Sequence, residues 1–461
     1  AVDHGSIVNQ RMAMEGLYWF SWLSTYHEAC EKAFRYAVEI LRDRQDDAEY
    51  RITYAYAVAC HGTMGIWLGH DQVESRALPE SVALLRHLPD ARRELAYAVG
   101  GLGWHAYANS QFEEAKPFLF EAIELDQKTE QFEHQAWNYC LLGHTALKQR
   151  DYQDGEQRYQ QALRLGHEIG DQRTITHTLF LLGRLAFQRG EYDRARRYLD
   201  ESLVVARDGN QLAFVVDALN QLGTLAEAVG ELEVASDYFE QSLEIAQTWG
   251  KNSWIVDSLG KLAQVSTAKG DYDAAADFVQ EATDLVAQVG NALSSTVEIL
   301  WTAKSRLARY THEYTAAHLY YGKLLALSRQ NGNHLLSAEA LVGLSLVALG
   351  QGDNEEGKRH LLEALQEGLR IGFAPILLSC VAAVAELYAA EGNFADAAEL
   401  AALARHHVAS TAETRFRANT VIERTIQALL PEAYAEATAR IIDSSPGEVA
   451  RKLATELCNK N

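Results

Sequence analysis

The sequence predicts an all-α fold: a right-handed superhelix, or α-solenoid, of about ten antiparallel helix pairs with a repeat of about forty residues. Two recurrences and a composition carry this. A polar residue followed by an aromatic or similar one returns at Gln111-Phe112, Asp151-Tyr152, Glu191-Tyr192, Glu231-Leu232, Asp271-Tyr272, Glu313-Tyr314, Asp353-Asn354 and Asn393-Phe394, in steps of 40 residues with one step of 42 after Asp271. Small residues keep fixed offsets from these pairs. The chain of 461 residues is 48% hydrophobic and holds only 6 prolines. Its Ala, Leu, Glu and Gln lose little rotamer freedom in a helix, so helix is favoured throughout.

The elements follow in order. Residues 1–94 hold two divergent units. Tyr26 to Val38 shows the second-helix pattern with Ala29 at the small position, and Trp67-Leu68-Gly69 leads into a degenerate unit ending near Pro89. Residues 95–406 hold eight regular pairs. In each first helix a small residue sits eight positions before the polar pair: Gly103, Gly143, Gly183, Gly223, Ala263, Ser305, Ser345 and Ala385. In each second helix another sits four positions after it: Ala115, Gly155, Ala195, Ala235, Ala275, Ala317, Gly357 and Ala397. Side chains of that size let two helix axes approach. A third set, Ala122, Ala162, Ser202, Ser242 and Ala282, lies on the same helix face and is expected to meet the next pair. Gly190, Gly230, Gly270, Gly352 and Gly392 precede the polar pair in five copies, where a tight turn needs positive φ. Residues 407–461 form capping helices: Phe416 to Leu429, then Pro431 to Ile441 and Pro446 to Leu457, with proline in the first turn.

The spacing of Leu-Gly near the middle of the first helix, Gly-Asp-Tyr at the turn and two small residues seven apart in the second resembles the tetratricopeptide repeat over roughly Leu95 to His406. The unit is longer than that family's common 34 residues, so groove dimensions do not carry over. The resemblance implies that first helices line a concave face. The groove positions lie six and three residues before, and one, four and five after, the small residue of the first helix. They select Tyr97, Trp104 and Tyr107, then Trp137, His144 and Lys148, then His177, Phe180, Arg184 and Phe187. Asp217, Asn220, Glu227, Asp257 and Gln264 follow as a polar, acidic stretch, before Arg306 and Arg309 return positive charge. Two roles fit the rings: filling a narrow superhelical axis, or covering the apolar body of a ligand whose anionic group pairs with Arg184 or Lys148.

Both ends carry a further resemblance. Gly16-Leu17-Tyr18-Trp19-Phe20-Ser21-Trp22-Leu23, and Leu430-Pro431-Glu432-Ala433-Tyr434-Ala435-Glu436-Ala437 with Ser445 to Leu457, resemble the borders of the helical sensor arm of bacterial signal-transducing ATPases of the STAND class. This implies a trigger (a protein, a peptide or a small molecule) and an upstream nucleotide-binding module in the same parent protein. The opening at Ala1, without Met or a leader pattern, looks like a cut end. A free-standing adaptor that scaffolds proteins remains the alternative, and an enzyme the third reading.

Several chemistries lack support. Gly250-Lys251 and Gly260-Lys261 have neither the upstream glycine nor the hydroxyl of a phosphate loop, so no nucleotide cofactor is expected. His27-Glu28 has no second histidine at metalloprotease spacing, His406 and His407 are adjacent on different faces, and G-x-S-x-G is missing, so neither metal nor catalysis is expected. A formal net charge of -21 repels phosphate backbones and anionic lipids, which argues against nucleic acid and membrane as partners. The apolar stretch Ala374 to Ala390 contains Pro375 and Glu386 and reads as a buried helix. Cys30, Cys60, Cys140, Cys380 and Cys458 are odd in number and far apart, and no N-x-S/T sequon occurs, both consistent with a cytoplasmic chain.

Overall fold

A computed structural model describes residues 6–23, 27–44, 47–68, 71–289, 294–429, 431–439, 441 and 444–459. Among these residues the chain forms 23 helices and no strand. They fall into two compact units, residues 1–182 and 183–461.

The first unit contains α1 (Ile7–Leu23), α2 (His27–Leu41), α3 (Ala48–Leu68), α4 (Asp71–Arg86), α5 (Arg92–Ala108), α6 (Phe112–Thr129), α7 (Phe132–Lys148) and α8 (Tyr152–Ile169). Helix α9 (Gln172–Gln188) runs from the first unit into the second. The second unit continues with α10 (Tyr192–Asp208), α11 (Leu212–Val229), α12 (Leu232–Thr248), α13 (Asn252–Lys269), α14 (Tyr272–Val289), α15 (Ser294–Tyr310), α16 (Tyr314–Gln330) and α17 (His334–Gly350). It ends with α18 (Asn354–Ile371), α19 (Ala374–Ala390), α20 (Phe394–His406), α21 (Ala412–Ala428), α22 (Pro431–Ala439) and α23 (Pro446–Asn459).

The small residues do what their spacing predicts. A Cβ on Gly103 would stand 2.6 Å from Leu119, one on Gly143 2.5 Å from Tyr159, and one on Gly223 2.4 Å from Phe239. Real Cβ contacts never reach such distances, so the paired helices have closed onto the glycine backbone. Ala115, Ala195, Ala235, Ala275 and Ala317 are wholly buried on the opposite helices. The third set is equally buried, and Ser242 Oγ lies 3.0 Å from Ser258 Oγ of the following pair, the neighbour expected for it.

All five turn glycines adopt positive φ, from 74° at Gly190 to 97° at Gly230. In the copies without glycine, Ser110, Arg150 and His312 take the same left-handed conformation, so the turn geometry outlasts the residue best suited to it. Asp151 and Asp353 cap their helices by accepting from the backbone N–H groups of Asp154 and Glu356.

The end of the chain differs in extent from the sequence reading. Helix α21 begins at Ala412, ahead of the expected Phe416, because Thr411 Oγ1 accepts from Thr414 N–H as an N-cap. Helix α22 stops at Ala439, before the expected Ile441, and α23 runs on to Asn459. Leu430, Gly69 and Tyr26, used in that reading, lie outside the described residues. Helices α21, α22 and α23 pack back on α18, α19 and α20 around Leu361, Val381, Leu403, Val421 and Leu453. Helix α11, which the sequence reading passed over, is the one helix among the described residues long and apolar enough to cross a membrane, yet ten of its residues are buried among its neighbours. Ala374–Ala390 is a buried helix, as expected. Cys30, Cys60, Cys140 and Cys380 are buried free thiols, and Cys458 is exposed.

Candidate functional site

The groove positions of the first unit are rings that touch rings. Trp104 stacks on Tyr107 at 5.5 Å between centroids, and Tyr107 meets His144 of the next pair at 6.2 Å. Trp137 stacks on His177 at 5.8 Å with an interplanar angle of 18°. His144 Nδ1 shares a 2.8 Å hydrogen bond with the Tyr159 hydroxyl. Tyr159 is buried, the other side chains named and Phe180 are half-buried, and Lys148 is exposed. Tyr97 is buried, in edge contact with Tyr18, Trp19 and Tyr56, and its ring lies 4.2 Å from that of His134.

Helix α1 covers this end of the face. Glu15 accepts hydrogen bonds from Arg93 and from the Tyr97 hydroxyl, and the Arg173 guanidinium lies 4.9 Å over the Trp19 ring. Beneath it His134 Nδ1 meets Asp126 Oδ1 at 2.8 Å, and Asn138 donates to Asp126 Oδ2 at 2.9 Å, all three side chains being buried. That cluster ties α6 to α7 and lies inside the packing.

The second unit is built differently. Desolvation by the surrounding helices and the neighbouring Asp257 raise the carboxyl of Asp217 to about 6 against the attraction of Arg184, both residues facing solvent. Asn220 donates to Asp257 at 3.1 Å, and Lys261 donates to Thr224 at 3.2 Å. Phe187 contacts Tyr192 and Phe373 at 5.7 and 6.4 Å between centroids.

Next along the face lies a cavity of about 720 Å3. Its walls are Glu227, Gln264, Arg306, Arg309, Tyr310 and Glu339, then apolar Leu335, Val342, Leu346, Phe373, Ile376 and Phe416. Arg306 donates to Glu227 at 2.9 Å, to Gln264 at 3.1 Å and to Glu413 at 3.3 Å. Arg309 donates to the other Glu413 oxygen at 2.7 Å and stacks over the Tyr310 ring at 4.3 Å, while the Tyr310 hydroxyl donates to Glu413 at 3.1 Å.

Glu413 comes from α21, so a carboxylate from a non-repeat helix fills the cationic end of the groove. Burial raises its pKa, but Arg306, Arg309 and Arg417 outweigh burial and hold it at about 2. Glu339 shows the opposite balance. It accepts no hydrogen bond among the described residues, and the protein around it raises its carboxyl to about 7 against the attraction of Arg306.

The segment leading into α21 is pressed onto the turns of the early second unit. The Tyr192 hydroxyl donates to Ala409 O at 2.8 Å, and Arg415 donates to Val229 O. A Cβ on Gly190 would stand 2.2 Å from the Ala409 methyl, so glycine there serves both the positive φ and this contact. Phe416, two-thirds exposed, stands at the cavity edge.

Of the residues selected from sequence, Trp104, Tyr107, Trp137, His144, His177 and Phe180 form the first-unit ring face with Lys148 exposed beside it, and Tyr97 lies under α1. Phe187 and Arg306 line the second-unit cavity, whereas Asp217 and Asn220 belong to the acidic stretch that precedes it, with Arg184 acting on Asp217. Glu339, Val342 and Leu346 were passed over although the offset rule selects them: they lie six and three before, and one after, Ser345. Glu413 and Phe416 carry no repeat signal. Among the described residues no group of three or more His, Cys, Asp or Glu side chains could hold a metal ion.

Residues 134–208 and 214–288 match the tetratricopeptide repeat family, and the chain carries such repeats there. No curated protein matches the sequence. Solved structures with the same kind of fold include the apo form of RapI, at 11% identity and a TM-score of 0.62, covering 80% of this chain and 99% of that one. A Rap protein complexed with competence and sporulation factor matches at 13% identity and 0.57, covering 78% and 99%. The apo form of the quorum sensor NprR from B. thuringiensis matches at 14% and 0.54, covering 77% and 99%. At these identities the likeness is one of fold: an α-solenoid of repeated helix pairs.

Proposed function

We propose that this chain is a ligand-sensing module that binds a peptide or protein segment in the concave cavity of its second unit. The cavity itself carries the reading: about 720 Å3 lined both by apolar side chains that rest on the core, such as Val342, Leu346 and Phe373, and by a cationic cluster of Arg306 and Arg309. Two of the similar structures support a peptide or signal as trigger, one being a complex with competence and sporulation factor and the other a quorum sensor. In the first unit the rings from Trp104 to Phe180, with Lys148, offer a second surface for an apolar body. Binding needs no cofactor and no catalysis by this chain. The resemblance of Gly16–Leu23 and of Pro431–Ala437 to STAND-class borders supports placing the module, in the cytoplasm, beside an upstream nucleotide-binding domain that its trigger would control.

Panning a random-peptide phage library against the full chain tests the reading. Enriched peptides should lose about thirtyfold in affinity on Phe416→Ala, the equivalent of about 2 kcal/mol for an anchoring aromatic. They should be unaffected by Trp249→Ala, which removes an exposed ring outside the cavity. Equal affinity for both variants would place recognition elsewhere.

A further inference from the structure

We infer that Arg306, Arg309 and Tyr310 form a carboxylate-recognition site for an acidic residue of the peptide ligand, which Glu413 of the same chain occupies until the ligand displaces it. The inference deepens the cavity reading above and rests on it.

The geometry is that of a receptor for one carboxylate. One Glu413 oxygen accepts from Arg309 at 2.7 Å and Tyr310 at 3.1 Å, and the other from Arg306 at 3.3 Å. Tyr321 fixes Arg309 by accepting from its Nε at 3.3 Å, and Glu227 and Gln264 fix Arg306. These supports all belong to the repeat helices, so the donors are oriented independently of α21. Planar guanidinium pairs held in this way select a carboxylate over a neutral amide.

The occupant shows which ligand fits. Glu413 arrives in the first turn of α21 with exposed Phe416 three residues later at the mouth of the cavity, so a ligand carboxylate taken up in its place lies beside a ring on which an aromatic ligand side chain can stack. Val342, Leu346 and Phe373 also line the empty volume, where a longer peptide would place further apolar side chains. Glu339 also lines the cavity, so a second acidic ligand residue beside it would be disfavoured.

The probes are acetyl-Ala-Glu-Phe-amide, its Gln counterpart and inorganic phosphate, titrated against the full wild-type chain and Glu413→Ala, with binding read by calorimetry and melting temperature. The Glu peptide should bind Glu413→Ala at least tenfold more tightly than wild type and raise its melting temperature by several degrees. The Gln peptide and phosphate should do neither, and adding Arg306→Met with Arg309→Met should abolish the gain. In the wild-type chain a saturating Glu peptide should speed amide exchange in Ala412–Arg415. If Glu413→Ala does not fold, Glu413→Gln, which keeps the shape, takes its place with the same expectations. Equal binding of Glu and Gln peptides, equal binding to wild type and variant, or phosphate binding as tightly as the Glu peptide would each overturn the inference. Should they do so while panned peptides still depend on Phe416, the cavity reading stands and only its acidic subsite falls.

Discussion

In the first unit the groove-facing side chains are rings that touch one another and are covered at one end by α1, whereas in the second they are charged and apolar side chains around open volume. Both units use the same offsets from the small residue of the first helix. What differs is the side chain placed there: Tyr97, Trp104 and Trp137 meet neighbouring rings, while Glu227 and Gln264 meet Arg306 beside a volume that stays open. The backbone repeat thus sets where a groove can be, and the residues at a few offsets set whether it is filled. The non-repeat ends finish the contrast. Helix α1 brings Glu15 and Trp19 to a packed face, and α21 brings Glu413 to an open one.

The contrast can be broken most strongly in the first unit. Asp126→Ala removes the partner of buried His134 and Asn138 and should cost about 3–5 kcal/mol of unfolding free energy, as breaking a buried pair typically does. Chemical denaturation checks this, and a loss below about 1 kcal/mol would mean that water satisfies the cluster. In the second unit, Gly343→Ala would put a methyl 2.3 Å from the Tyr321 ring, which also holds Arg309. Overpacking of this kind costs about 1–3 kcal/mol. It should also weaken peptide binding, a combination that Gly143→Ala, which crowds the Tyr159 ring in the first unit, should not show.

Glu413→Gln should cost about 1–2 kcal/mol near neutral pH, less than a fully buried pair, since the carboxylate is one-third exposed. The folded pKa lies below the ordinary value of 4.5, so the contribution is full above that value and is lost as pH falls toward 2. Wild type and variant should therefore converge in acid, which thermal melts at stepped pH will show. Glu339→Gln should have the smallest effect and the opposite sign. Its raised pKa of about 7, set by desolvation from the cavity walls around the solvent-facing carboxyl against Arg306, with Glu413 and Glu227 adding to it and Lys261 opposing, makes wild type lose a little stability relative to the variant as pH rises from 4.5 through 7.

Much of this was legible in the sequence. The forty-residue step gave the hairpins, because each glycine that faces Leu119, Tyr159 or Phe239 must recur wherever two axes close to that distance. The offset rule also selects most of the cavity wall, including Arg306, Arg309, Glu339 and Val342. It could not separate filled from open, since whether Trp137 covers a ligand or stacks on His177 depends on ring contacts between pairs. Glu413 and Phe416 were out of reach for a different reason. Their helix enters the groove through Tyr192–Ala409 and Arg415–Val229 contacts spanning about two hundred positions, and no periodic signal encodes such pairing.

The central claim is that recognition belongs to the open face of the second unit. Its most direct test is the dissociation constant of library-selected peptides for Phe416→Ala and for Trp137→Ala, each compared with wild type and each shown to melt as wild type does. The account predicts a loss of about thirtyfold for Phe416→Ala and less than about threefold for Trp137→Ala. The reverse ranking would contradict it and assign binding to the ring face of the first unit.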